Sequence, residues 1–260
     1  MSPSFADNNN KLSDEKSKRY VRPINELWAM WGPRVKMRIY PLTYALYEDV
    51  ERVMTSLTSY DRDKWAAAWS SIAKPYEEKA AQAEKAGNAQ NAKENYLRAY
   101  QYYRLARYPT INSDGKKQAY RKSQQMLFKA SQFFDSPLER VEIPFRGKTG
   151  EGNKIVAYLR LPKEGSTPFP VLVSWGGIDG FKEEHLNDPA LEHGLATLAI
   201  DGPELGTRHS KAQKMRKDYS EQSSIGLGRK RPWTLIGLES GVTVLAVIGQ
   251  LRLPMFTKIK

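Results

Sequence analysis

Cysteine is absent from this 260-residue chain. That excludes a disulfide framework, a thiolate zinc site, an iron–sulfur cluster and a cysteine nucleophile. Histidine is scarce: His185, His193 and His209 are the complete set, too few for a histidine-rich metal site, and no cofactor is expected. The first 17 residues are polar, with an asparagine run at Asn8–Asn10 and no apolar core of a secretory signal. They read as a disordered arm, and the cytoplasm is the expected location.

What is present argues for a folded protein: 40% hydrophobic residues and 14 tyrosines. The length allows one large domain or two small ones. A net charge of +12 first suggests an acidic partner, although net charge bears on association and not on fold. The charge is unevenly placed. Residues 1–206 hold 30 Lys+Arg and 26 Asp+Glu, a net of +4, whereas residues 207–260 hold 11 and 3, a net of +8.

From about Tyr40 to Phe134 the apolar spacing is helical. Leu42, Leu46, Val50, Val53 and Leu57 recur on one face of a helix that Pro41 can open. A second helix begins near Tyr60, with Asp61 or Asp63 as cap and Trp65, Trp69 and Ile72 on one face. Pro75 is expected to interrupt or kink it. Gly87-Asn88 makes a turn into a helix over Ala89–Arg107, which Pro109 stops, and Lys116–Phe134 forms another. Tyr76–Tyr108 has the length of one tetratricopeptide repeat but no second copy, so it reads as an αα-hairpin inside a larger helical domain.

At Pro137 the period changes from 3.6 to 2. Leu138–Phe145 and Ile155–Leu161, joined by a glycine-rich turn, read as an antiparallel pair. Val171-Leu172-Val173-Ser174-Trp175 and Gly194–Ile200 read as buried strands of a parallel sheet. Between them stand the Gly176-Gly177 turn and an expected crossover helix over Lys182–His193, completing a βαβ unit.

The segments Ser174-Trp175-Gly176-Gly177-Ile178-Asp179-Gly180-Phe181-Lys182-Glu183-Glu184 and Ala196-Thr197-Leu198-Ala199-Ile200-Asp201-Gly202-Pro203, with Leu105–Pro109 and Pro137–Phe145 upstream, resemble the α/β-hydrolases that carry an N-terminal helical domain. This group includes the fermentation–respiration switch esterase-like proteins, the 2,6-dihydropseudooxynicotine hydrolases and the fungal yellowish-green-type hydrolases that shorten polyketides in melanin synthesis. Tyr76–Gly87 leans toward the fungal members. The likeness is read over about residues 38–206. It implies an α/β fold: an N-terminal helical domain followed by a partial, truncated α/β-hydrolase sheet. The expected divisions are an arm at 1–37, helices at 38–135, partial core at 136–206 and a divergent tail at 207–260. The implied chemistry is serine-type hydrolysis of acyl or carbon–carbon bonds in a small carbonyl substrate. One oxyanion N–H would come from the loop after the third strand, here Gly176–Gly180, with Gly177 and Ile178 as candidate donors. The plainer alternative is that Gly-Gly only makes a tight turn.

The Gly-x-Ser-x-Gly nucleophile elbow of such enzymes occurs nowhere in the 260 residues, and neither Ser240-Gly241 nor Ser223–Gly226 satisfies it. None of the three histidines stands where a catalytic base is expected. The chain as written is therefore expected to be inactive. Its tail has three readings: a frameshift, retained intron or alternative exon after Gly206; a membrane anchor over Thr234–Leu251, weakened by Glu239 and three glycines; or a basic arm using Lys211, Lys214, Arg216, Lys217 and Arg229–Arg231. Neither nucleic acid nor membrane is the expected partner, and the helical domain could pair two copies. The competing class is a non-enzymatic interaction protein with a helical hairpin and a basic tail.

Overall fold

The computed structural model describes residues 22–144, 154–165, 169–176, 180–186 and 188–201, with the backbone of 234–235 and 245–247. Five helices come first: α1 Ile24–Lys36, α2 Tyr47–Ser56, α3 Arg62–Lys85, α4 Ala89–Arg107 and α5 Asp114–Ser131. α1 lies in the stretch read from sequence as an arm. It forms because Trp31 and Val35 share one face and are both buried. Residues 42–46 precede α2 as turns and do not extend it.

Local chemistry sets the helix ends. Asp61 caps α3, its Oδ1 accepting from Lys64 N–H at 2.9 Å. α3 then continues through Pro75 to Lys85, against the expectation of an interruption. Packing along α4 holds the helix on both sides of the proline. Gly87 adopts φ +74°. There the Asn88 N–H reaches Ala83 O at 2.9 Å and the Gly87 N–H reaches Glu84 O at 3.0 Å, a Schellman closure that needs glycine. Asn88 then caps α4 by accepting from Asn91 N–H.

The sheet orders its first four strands β1-β2-β4-β3: β1 Glu139–Pro144, β2 Lys154–Arg160, β3 Val171–Trp175 and β4 Ala196–Ile200. β1 and β2 are antiparallel, with Val141 opposite Ala157. β2 runs antiparallel to β4, and β3 runs parallel to it, Trp175 opposite Ile200. Two short strands, β5 Thr234–Leu235 and β6 Leu245–Val247, continue the sheet, with β6 antiparallel to β3. β3 is not buried on both faces as expected. Leu172 and Ser174 are buried, while Val171, Val173 and Trp175 are only partly covered.

The expected crossover helix is instead a 3-10 turn, Lys182–Glu184, and a short helix, α6 Asp188–Glu192. Pro189 has no N–H to bond the His185 carbonyl, so one continuous helix through this stretch would lose a hydrogen bond, and the turn's three charged side chains are drawn inward, as described below. One apolar core spans both parts of the molecule. Trp65, Trp69, Tyr96, Tyr102 and Leu127 of the helices belong to the same cluster as Leu138, Tyr158 and Ala199 of the sheet region. Phe128 meets the Tyr158 ring edge-on at 5.1 Å. Among the described residues no helix is long and apolar enough to cross a membrane.

Candidate functional site

The loop that follows β3 is anchored at both ends. At its start, a Cβ added to Gly176 would lie 2.3 Å from the Gly180 carbonyl oxygen and 2.8 Å from His185 Nε2. The backbone therefore closes on itself within four residues, and only glycine fits. Gly177 and Ile178, the candidate oxyanion donors, lie outside the described residues. Gly176 and Gly180, which bracket them, lie within.

The far end of the loop runs straight into Phe181-Lys182-Glu183-Glu184, whose three charged side chains are all but fully buried. The Glu184 carboxylate is gripped by the guanidinium groups of Arg104 and Arg107 from α4. It also accepts from the Tyr40 hydroxyl at 3.0 Å. Burial opposes its ionisation, but the two arginines win and hold its carboxyl below the usual range. Arg104 and Arg107 sit one turn apart, so both reach one carboxylate from one helix face. Arg104 Nη1 also donates to Pro41 O at 2.8 Å and Arg107 Nη1 to Pro109 O at 3.1 Å. The Arg107 guanidinium also lies 3.8 Å from the Phe181 ring centroid.

Glu183 points the other way. Its carboxylate accepts from the Tyr158 hydroxyl of β2 at 2.9 Å, the Tyr120 hydroxyl of α5 at 3.2 Å and the Gln124 amide at 2.8 Å. Its main-chain carbonyl accepts from the Tyr100 hydroxyl at 2.8 Å. Burial, then the Glu183 charge, pushes the Tyr120 and Tyr158 hydroxyls well above the ordinary tyrosine range, so both remain donors. Lys182 binds Asp201 at the end of β4 twice, through Nζ at 2.6 Å and its backbone N–H at 2.8 Å. Burial and the nearby Glu183 raise the Asp201 carboxyl, with Lys182 opposing. The cluster balances three cations (Arg104, Arg107, Lys182) against three carboxylates (Glu183, Glu184, Asp201), which is what makes burial tolerable.

Two buried polar atoms beside this cluster have no partner among the described residues: Ser174 Oγ and His185 Nε2. Burial lowers the His185 pKa, leaving the imidazole neutral near pH 7. His193 is exposed, and His209 lies outside the described residues. Among the described residues no group of three or more His, Asp or Glu is placed to hold a metal ion.

Sequence reading found the loop but missed its anchor. From sequence, Lys182-Glu183-Glu184 is only the start of the expected crossover helix over Lys182–His193. A usable signal was present in α4, where Arg104 and Arg107 stand within a helix end otherwise made of buried aromatic and aliphatic residues.

A family model described as FrsA-like, Esterase FrsA-like, matches residues 6–233. The chain belongs to the FrsA-like esterase family. The match runs past Gly206, where the resemblance read from motifs gave out. Among similar curated proteins are Esterase FrsA of Yersinia pestis (strain Pestoides F) and of Yersinia pseudotuberculosis serotype O:1b (strain IP 31758). Each is 24% identical over 258 residues, covering 93% of this chain and 60% of the relative. The chain thus spans 60% of the length of these relatives. Among solved structures, the crystal structure of the 2,6-dihydroxy-pseudo-oxynicotine hydrolase matches with a TM-score of 0.54 at 24% identity, over 74% of this chain and 52% of that one. The shared fold is that of an α/β-hydrolase, with the helices leading into the sheet.

Proposed function

We propose that this chain supplies the helical domain and the oxyanion loop of an esterase-type α/β-hydrolase, and that it does not hydrolyse esters by itself. The observation that carries this reading is the anchored loop. Gly176 closes on the Gly180 carbonyl, and the residues after Gly180 are locked to α4, α5, β2 and β4 by buried charge. Donors that stabilise a developing oxyanion must be held before charge appears. Gly177 and Ile178 follow Gly176 and precede Gly180 in the sequence, and their backbone N–H groups are the donors we assign. The bond attacked is an ester, or a carbon–carbon bond beside a carbonyl. A polyketide-type pigment precursor is the substrate class implied by the resemblance of Tyr76–Gly87 to the fungal hydrolases.

A nucleophile in a Gly-x-Ser-x-Gly elbow is missing from the 260 residues, so the second half of the proposal is inactivity. The test is direct. The purified 260-residue chain is incubated with p-nitrophenyl esters and, separately, with a fluorophosphonate probe. We expect neither turnover above the buffer rate nor serine labelling. Ester hydrolysis abolished by the probe would refute the proposal of inactivity.

A further inference from the structure

At the other end of the sheet the two parts of the molecule do not close completely. Arg160 of β2 pairs with Thr197 of β4, which lies four residues before Asp201. At about 3.3 Å per residue, this places Arg160 roughly 13 Å from the Asp201–Lys182 contact. Here a cleft of about 430 Å³ opens between the helical domain and the sheet, within the span of small-molecule sites (about 300–1,000 Å³). Leu97 of α4 and Leu186 and Leu191 of the crossover line it, with Tyr44, Phe134 and Arg160.

The polar groups at its base are unusual. The Arg160 side chain is only 5% exposed. Its Nε donates to Ser136 O at 2.9 Å, and its Nη1 donates to the Asp188 carboxylate. Its Nη2 has no partner among the described residues. The guanidinium lies 5.2 Å from the Phe134 ring centroid. Tyr44 lines the same space. Its hydroxyl makes no hydrogen bond among the described residues, and burial and the Asp188 charge raise its pKa, so it stays a donor. A permanently charged guanidinium and a neutral hydroxyl thus face one cleft, partly walled by leucine, with donor capacity unspent.

The rim sets the permitted charge. Lys163 is paired with Asp135 at 2.7 Å. Asp188 is two-thirds exposed, and Glu192 also stands at the mouth. Lys93 also lines the cleft, so three cations (Lys93, Arg160, Lys163) face three carboxylates (Asp135, Asp188, Glu192), and with no positive surplus the lining does not favour a second negative charge on a ligand. We propose that this cleft binds a small amphipathic monocarboxylate, its carboxylate on Arg160 Nη2 and the Tyr44 hydroxyl and its apolar body against Leu97, Leu186 and Leu191. The site requires no nucleophilic serine, so the proposal stands apart from the hydrolase reading.

Isothermal titration calorimetry of the 260-residue chain with octanoate, octanol and octylamine tests it. Octanoate should bind saturably, at least about tenfold more tightly than octanol or octylamine, because only the carboxylate takes up the unspent donors. Arg160 is too deeply tied to the fold to substitute cleanly, so two gentler variants carry the assignment. Tyr44→Phe should weaken octanoate by about fivefold or more. Leu191→Trp, on the half-buried wall, should abolish binding by filling the cleft while the far-ultraviolet circular dichroism stays unchanged. Absence of saturable octanoate binding, equal binding of octanol, or full binding by folded Leu191→Trp would each overturn the proposal.

Discussion

Replacing Glu184 by glutamine removes one negative charge without opening a cavity. Two guanidinium groups, those of Arg104 and Arg107, are then left buried with half of their acceptor gone. The carboxylate is 3% exposed, and the arginines are 6% and 1% exposed, so water cannot replace it. Breaking a buried ion pair from one side costs about 3–5 kcal/mol. For a chain of this size roughly 2–4 °C of melting temperature goes with each kcal/mol, so the expected fall is about 6–20 °C. Tyr40→Phe is the internal control. It removes the hydroxyl's hydrogen bond to the same carboxylate, worth about 1.5–3 kcal/mol for a charged acceptor and at the low end here because Tyr40 is half exposed. Thermal and urea unfolding followed by circular dichroism would measure both. The reasoning fails if Glu184→Gln costs no more than Tyr40→Phe, because the two arginines would then not depend on that charge.

Three further outcomes follow from the same region. Gly176→Ala should destabilise the fold by about 2 kcal/mol or more, since its Cβ would meet the Gly180 carbonyl carbon at 2.6 Å as well as the oxygen; a melting temperature within 2–4 °C of the parent would show that the loop can move aside. Ser174→Ala should be neutral or stabilising by up to about 1.5 kcal/mol, because it deletes a buried hydroxyl that has no partner among the described residues, and a clear loss in urea unfolding would refute that. His185 has a folded pKa below its ordinary value, so the unfolded chain takes up its proton first and stability declines as pH falls below about 6.5. His185→Gln should flatten that slope between about pH 5 and 6.5, ahead of the loss expected below about pH 4.5 as Glu184 protonates; an unchanged slope would remove His185 from the account.

Much of the helical domain was legible because its signals are local. Asp61 three residues before a bonded N–H, Gly87-Asn88 at a positive φ and the alternation of β1 with β2 each act within a few residues. α1 was passed over because its buried face has only Trp31, Val35 and the small Gly32, and because Pro33 suggests a break. The anchor after the loop was illegible for a different reason. Lys182-Glu183-Glu184 has the composition of a solvated helix face, and its partners Arg104, Arg107, Tyr120 and Tyr158 lie 25 to 80 residues away. Nothing local announces a charge that will be neutralised at such separation. The extent of the family match was missed in the same way. At 24% identity few consecutive residues survive to be recognised as motifs, while a family model weighs scattered positions up to residue 233.

The division into a helical domain and a sheet, natural in the sequence at Pro137, is therefore not a division in stability. Each half alone would strand charge. Without α4 and α5, Glu183 and Glu184 would lose Arg104, Arg107, Tyr120 and Gln124. Without the 3-10 turn, α4 would present two arginines to an apolar core. Buried charges tolerate neither state, so the helices and the sheet must form together or leave two arginines on one side and two glutamates on the other without partners. The +12 of the whole chain acquires a different sense from this. Where the two halves meet, three positive and three negative groups cancel, and the surplus lies outside the cluster, most of it after residue 206. The interior charge ties the residues that follow Gly180 to α4, β2 and β4.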